Sequence, residues 1–319
     1  MEDIYSYSMP PKPPPKIEVF ITWIIGILSS VQFFFEKTMR RFNAHFNMFW
    51  KYRFLLKELV RKNVRLKYRN SALGMFWNLL QPLLAALVLW FVFSNLRGRG
   101  DNDGIPFILY ILSGRILFSF FSDSTTGAMN SMRNNSGIIK KVYVPKYIYP
   151  MSVVISRFVT MCFSMVILAI FITYFDITEG YGYGLTPRVF FAVVPIGILF
   201  VFSLGVGLFL SAISIFVKDL IYIYSVFCRL VFYISPIIFS PEQILTGSSL
   251  KLVLRLNPLY GIIQMFRNAV FVSEGNAFAN EEFFYSGWQL LYTFGWAVIM
   301  LLLGTYIFYK RQDKFIHHI

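Results

Sequence analysis

The chain has 319 residues, 56% of them hydrophobic and 19% aromatic but only 14% charged, whereas soluble domains carry charge on about a quarter of their residues. Its formal net charge of +14 calls for an anionic partner, but 11 of the 30 Lys and Arg lie between residues 36 and 70, directly before an uncharged run, and no nucleic-acid-recognition motif accompanies them. The balance excludes a soluble globular domain and speaks against nucleic acid, leaving anionic membrane headgroups as the fitting partner.

The expected fold is an all-α polytopic membrane protein. Six long apolar segments lack the ~10-residue alternation of a membrane β-barrel. The chain opens on a Pro-rich tail, PPKPPPK, that reads as extended and solvated. Residues 19–35 are apolar and about 17 residues long, at the lower limit for a span. They lack a signal-peptide cleavage site and read either as an extra span or as a helix in the interface. Residues 1–45 together form an N-terminal extension.

Residues 46–70 read as an amphipathic helix. Arg53, Lys57, Arg61, Arg65 and Arg69 stand in an i, i+4 row, and Tyr52, Leu55, Leu56, Leu59, Val60 and Val64 make the apolar side. Such a helix lies flat in the membrane interface. Residues 71–74 break the pattern, and spans are expected at about 75–96, 105–122, 147–175, 189–217, 220–239 and 283–309, with 311–319 as a tail. The fourth stretch exceeds one bilayer crossing and must tilt or break, with Pro195, Gly205 and Gly207 as places to do so. Six spans place the basic helix and the C-terminus on one side, with 19 Lys and Arg there against 6 on the other, which makes that side cytoplasmic.

Sites for chemistry are scarce. Cys162 and Cys228 lie inside apolar segments and read as small hydrophobes. His45, His317 and His318 have no ligand spacing, so no metal is assigned. No GxxxxGK[ST] sequence occurs, and no carboxylate pair or Ser/His/Asp grouping suggests catalysis. If the chain moves something uphill, the energy must come from a partner or an ion gradient. The most distinctive polar segment is MRNNSGIIKKVYVPKYIYP, residues 132–150. Arg133, Asn134 and Asn135 are expected to start a short helix, Ile138 and Ile139 to give it an apolar edge, and Lys140, Lys141 and then Pro145 to end it. An ordinary basic loop is the alternative.

Several separated motifs agree in order and spacing with one family. ELVRKNVRLKYRNSALGMFWNLLQPLL, ILSGRILFSFFSDSTTGAMNSMRNNSGIIKKVYVPKYIYP, YISPIIFSPEQI and LNPLYGIIQMFRNAVF resemble the permease subunits of type-2 ABC exporters, in the branch for polysaccharides: O-antigen, capsule and teichoic acid. The resemblance covers about residues 50–310. It implies a six-transmembrane-helix bundle that forms a homodimer with two copies of a separate ABC ATPase, which would hold ATP and Mg. No cofactor is expected in this chain. It implies a lipid-linked glycan as substrate, and a bacterial cytoplasmic membrane location with the C-terminus cytoplasmic. Residues Arg133, Asn134, Asn135, Ser136, Gly137, Ile138, Ile139, Lys140 and Lys141 match the family's cytoplasmic coupling helix, residues 50–70 its interface helix, and residues 241–272 its re-entrant extracellular segment between spans five and six. Nothing carries over to residues 1–45.

Three charges fall within spans: Arg115, Arg157 and Arg229. Each costs roughly 2.5–3.5 kcal/mol on insertion scales and needs a partner or a wet cavity. Arg157 lies near a span end and is expected to snorkel. Arg115 and Arg229 sit mid-span and are candidates for an aqueous pathway, where they would meet phosphate or carboxylate groups of a substrate. Pairing of an arginine with Asp123 is the competing reading. Phe118, Phe120, Phe121, Trp77, Trp90 and Tyr110 are candidates for stacking on sugar rings, against packing in the bundle. Ser203, Gly207 and Ser211 form a small-xxx-small row for close helix contact. Three other functions remain in view. A drug or lipid exporter would share this architecture, a membrane-embedded transferase would need a catalytic grouping that is absent, and a passive channel would need no coupling helix.

Overall fold

The computed structural model describes residues 50–66, 74–97, 105–141, 144–180, 187–235, 237, 256–271 and 287–315. The expectations for residues 1–45, for Arg69 and for 241–255 fall outside these residues. The regular elements described are helices. They are α1 (Arg53–Leu66), α2 (Trp77–Arg97), α3 (Phe107–Asn134), α4 (Ser136–Ile139), α5 (Ile148–Glu179), α6 (Val193–Ser214), α7 (Leu220–Ile234), α8 (Pro258–Val270) and α9 (Gly287–Arg311). Short 3-10 turns at Gly74–Phe76, Pro187–Ala192 and Gln312–Lys314 precede α2 and α6 and follow α9. Helices α3, α5, α6 and α9 are long and apolar enough to cross a bilayer, while α2 and α7 hold shorter apolar stretches.

The chain divides into two compact units, Met1–Leu55 and Leu56–Ile319. In the first, the Arg53 guanidinium stands 5.0 Å from the Trp50 ring centroid and 5.2 Å from that of Phe54. The second contains the bundle. Its first helical turns bury Leu56 and Leu59, and the Asn63 amide donates to Ser152 Oγ of α5 at 3.3 Å.

Helix α3 is the most deeply buried of the four long helices and packs against α2, α5 and α6. Its apolar residues are buried, while Arg115, Ser119, Ser122, Asp123, Thr126 and Asn130 form a less buried polar stripe at spacings of three and four. It also runs 12 residues past Ser122, where the span was expected to end. Its polar residues do not stop it because they bond back onto their own helix. Ser124 and Thr125 donate to the Phe121 carbonyl at 3.0 and 2.7 Å, and Ser131 to that of Ala128 at 2.6 Å. Arg133 and Asn134 therefore close α3 instead of opening the short helix that follows. The break comes at Asn135, whose side-chain amide donates to the Ser131 carbonyl at 2.8 Å, and α4 occupies only Ser136–Ile139.

The fifth expected span also ends early. Ser235 turns to extended backbone, φ −78° and ψ 150°, as the residue before a proline prefers, so α7 has 15 residues. Helix α8 begins on a strong start signal. Asn257 Oδ1 caps the Leu259 amide at 3.0 Å and its Nδ2 donates to Ser235 Oγ at 3.1 Å, with Pro258 in the first turn. Residues 261–270 of α8 are all buried, against α3, α6, α9 and the turn at Pro187–Ala192.

The broadest helix pairing among those described is α6 on α9. At its crossing Gly205 meets the backbone of Met300 and Leu301, and Gly304 meets the Gly205 carbonyl, so a Cβ on either would overlap main-chain atoms. The expected row at Ser203, Gly207 and Ser211 is also buried, with Gly207 facing Ala128 of α3 and Val154 of α5. Small residues on two faces of α6 let three helices approach it closely. The outward rows Val166, Ile170, Tyr174 and Ile177 of α5, and Leu291, Phe294, Leu302 and Tyr306 of α9, are exposed and suit a lipid environment.

Candidate functional site

A cleft of about 320 Å³ opens between α3 and α7. Arg115, Phe118, Ser122 and Thr126 reach it from α3 at spacings of three and four, the stripe of one helix face. Ser225, Cys228, Arg229, Phe232 and Tyr233 reach it from α7. The Arg115 guanidinium lies 5.9 Å from the Phe232 ring centroid, and Phe118 meets Phe232 edge-on at 5.3 Å. The two helices that form the cleft are tied by a buried hydrogen bond, Tyr224 Oη to Thr125 Oγ1 at 2.7 Å. Two cations, three aromatic rings and several hydroxyls thus face one space. That set can hold an anionic group at the arginines while aromatic planes meet apolar or sugar C–H faces.

The remaining pathway candidates are placed elsewhere. Phe121 is buried and stacks on Phe202 of α6 at 5.5 Å. Tyr110 is fully buried. Trp77 stands at the start of α2, 41% exposed, and Trp90 packs against the core. Phe120 is buried edge-on to Phe158 of α5 at 5.8 Å. The structure groups Arg115, Arg229 and Phe118 around the cleft, while Phe121, whose ring centroid is 6.4 Å from that of Phe118, and Tyr110 and Trp77 do not line it.

Arg115 also borders a second, smaller crevice of about 50 Å³ on its other side, with Gln81 of α2, Ser119 and Asp123 of α3, and Arg157, Thr160 and Ser164 of α5. Arg157, expected to snorkel, lines this polar crevice, and its Nε is buried with no hydrogen-bond partner among the described residues. Among the described residues the ion pair within 4 Å is exposed Arg61–Glu58 at 3.0 Å, so Arg115 and Asp123 share the crevice without touching.

At the end of α3, the Arg133 guanidinium donates to the Ser214 carbonyl of α6, and Ser214 Oγ returns a bond to the Met129 carbonyl at 2.8 Å. These bonds fasten the base of the 133–141 segment to the bundle. Beyond them Ile139 is buried, while Gly137, Ile138, Lys140 and Lys141 are exposed. On α1 the cation row is exposed at Arg53, Lys57, Arg61 and Arg65, as a helix with one solvated basic face requires.

The region from α1 through α8 has a family counterpart. Residues 54–271 match the family model described as ABC-2 type transporter. The chain belongs to the ABC-2 type transporter family. An O-antigen export system permease protein of Klebsiella pneumoniae is 26% identical over 266 residues, covering 82% of this chain and 93% of the relative. One from Myxococcus xanthus is 26% identical over 268 residues, covering 83% and 95%. A polysialic acid transport protein of Escherichia coli is 22% identical over 271 residues, covering 81% and 93%.

Two features of this ABC-2 transporter chain escaped the sequence reading. Arg267, which lies outside all six expected spans, is fully buried in α8. Its Nη2 donates to the Tyr110 carbonyl at 2.8 Å and its Nε to Ser113 Oγ at 3.3 Å, while the guanidinium lies 3.5 Å from the Tyr110 ring centroid. Gly114 makes the room, since a Cβ there would fall 2.6 Å from Nη2. A lone arginine inside the apolar run QMFRNAVF was the available signal. The second feature is the C-terminal turn. Lys146 Nζ, just before α5, donates to the Gln312 carbonyl and stands 5.8 Å from the Phe315 ring centroid. Burial lowers the Lys146 pKa from the ordinary lysine range, and Asp313 works against that shift.

Proposed function

We propose that this ABC-2 transporter chain is the membrane-spanning permease of an ATP-driven exporter that moves a lipid-linked polysaccharide, such as an O-antigen or capsular glycan, across the bacterial cytoplasmic membrane. The colinear similarity to O-antigen export permeases, over 82% of this chain and 93% of the relative, carries the reading. A separate ABC ATPase supplies the energy and holds ATP and Mg, and the permease works as a homodimer on two ATPase copies. Six spans cross the membrane, with α8 as the re-entrant part between the fifth and sixth and the C-terminus in the cytoplasm. Arg53, Lys57, Arg61, Arg65 and Arg69 hold the interface helix on anionic headgroups. Residues 133–141 receive the ATPase, and their exposed tip at Gly137, Ile138, Lys140 and Lys141 is the docking surface.

The cleft of Arg115, Arg229 and Phe118 lies on the substrate path. Two arginines facing one open cleft between apolar helices support that role, because a mid-membrane guanidinium needs water, a partner or an anion. The substrate's phosphate or carboxylate groups supply the anion.

The test is affinity purification of the tagged full chain from its native membrane. A stoichiometric ABC ATPase should accompany it, and Ile138→Asp with Lys140→Glu and Lys141→Glu should cut that recovery about tenfold while leaving the permease folded. A wild-type chain that purifies intact without an ATPase, from cells that export the glycan, would overturn the motor-driven reading.

A further inference from the structure

A third cavity, of about 140 Å³, lies between α5, α6 and α9, away from the arginine cleft. Leu204 and Leu208 of α6, Met151 of α5 and Phe308 of α9 line it with hydrocarbon, and Thr305, Tyr147 and Tyr309 complete it. Its size is close to the apolar cavity of about 150 Å³ that stays dry and admits a benzene-sized guest. It has room for a short run of methylenes and none for a headgroup.

The chemistry at one end is different. Tyr147 and Tyr309 approach each other with ring centroids 6.2 Å apart. Lys146 precedes Tyr147, and its ammonium lies on this side of the bundle, whereas the Lys310 ammonium lies 5.8 Å from the ring centroid of Tyr306 on the outward face of α9. Arg311 and Lys314 follow, and Asp313 is the one acidic residue in the 310–315 stretch. Phe308, in the cavity wall, meets Phe315 edge-on at 5.2 Å, and Phe315 in turn lies beneath the Lys146 ammonium. The order is an apolar hollow, then two tyrosines, then a net positive cluster. Tyrosines at the headgroup level with cations beyond them match the layers of a bilayer leaflet, and basic pockets between spanning helices attract anionic lipid headgroups.

We propose that this cavity is a binding site for an anionic membrane phospholipid, with part of an acyl chain in the hollow and the phosphate against Lys146. The site joins α5, α6 and α9 at the end where the C-terminal turn is anchored, so a resident lipid fastens that corner of the bundle. The inference rests on α5, α6 and α9 being membrane spans and is independent of which substrate is exported.

Native mass spectrometry of the detergent-purified full chain, titrated with phosphatidylglycerol or phosphatidylcholine, tests it. The wild type should bind one phosphatidylglycerol per chain in preference to phosphatidylcholine. Lys146→Gln should weaken phosphatidylglycerol roughly fivefold and leave phosphatidylcholine unchanged. Thr305→Phe, which fills the hollow without touching the charges, should weaken both. Thermal unfolding of each variant without added lipid reports whether it folds. Equal binding of the two lipids by wild type, or phosphatidylglycerol binding that neither folded variant weakens, would overturn the proposal.

Discussion

Arg267 and Arg229 are the same side chain in opposite circumstances. Arg267 is enclosed by the Tyr110 carbonyl, the Ser113 hydroxyl and an aromatic face, and Gly114 leaves space for it. It fastens α8 to α3. Replacing it by Met removes two hydrogen bonds from a charged donor and the contact with the Tyr110 ring, at ~1.5–3 kcal/mol for a hydrogen bond to a charged group, while the Ser113 hydroxyl still donates to the Tyr110 carbonyl at 2.9 Å. Arg267→Met should therefore lower the thermal unfolding temperature of the purified chain by several degrees, read by scanning fluorimetry in detergent. Arg229 and Arg115 instead border an open cleft with hydroxyls and rings around them. Their loss should barely move the unfolding temperature. If they meet the anionic groups of the substrate, Arg115→Gln and Arg229→Gln should each reduce export about tenfold or more, the worth of one charge-assisted hydrogen bond of ~1.5–3 kcal/mol. Normal export by both folded variants would remove them from the substrate path. The rule that an arginine inside an apolar segment needs an explanation finds Arg115 and Arg229 in the sequence. It passes over Arg267 only because that residue lies outside the six expected spans.

At the scale of elements, the crossing of α6 and α9 depends on having no side chain where the backbones meet. Gly205→Ala would force a methyl into the main chain at Met300 and Leu301, an overpacking that costs typically 1–3 kcal/mol. A Cβ added at Gly197 on the same helix would meet nothing within 4 Å. Gly197→Ala should be neutral or stabilising by up to ~1 kcal/mol from helix propensity. Thermal unfolding of the pair separates a packing role from a propensity effect, and equal shifts would refute the close crossing. The expected row at Ser203, Gly207 and Ser211 was legible as small-xxx-small spacing, whereas Gly205 and Gly304 lie 99 residues apart in sequence and only the fold brings them together. Helix ends were read less well for a related reason. Hydroxyls and an asparagine look like stop signals in sequence, but in α3 they bond to carbonyls of the preceding turn and the helix continues to Asn134.

For the whole molecule, apolar run length and charge placement were enough to define a helical membrane protein, because no other secondary structure in this chain satisfies its backbone groups in lipid. The spacing of separated motifs was enough to place the family. The basic row of α1 was legible for the same reason, since an i, i+4 period is a property of the helix alone. Which side chains face one another was decided only by tertiary structure. Phe118 and Phe121 are three residues apart on α3, yet one opens to the α7 cleft and the other stacks on Phe202 of α6. The polar stripe of Arg115, Ser122 and Thr126 marks one side of α3 in the sequence, but not which helix packs there or which ring lies beside it. Only the neighbours packed against each side distinguish them, and those neighbours come from segments about 80 to 115 residues further along the chain.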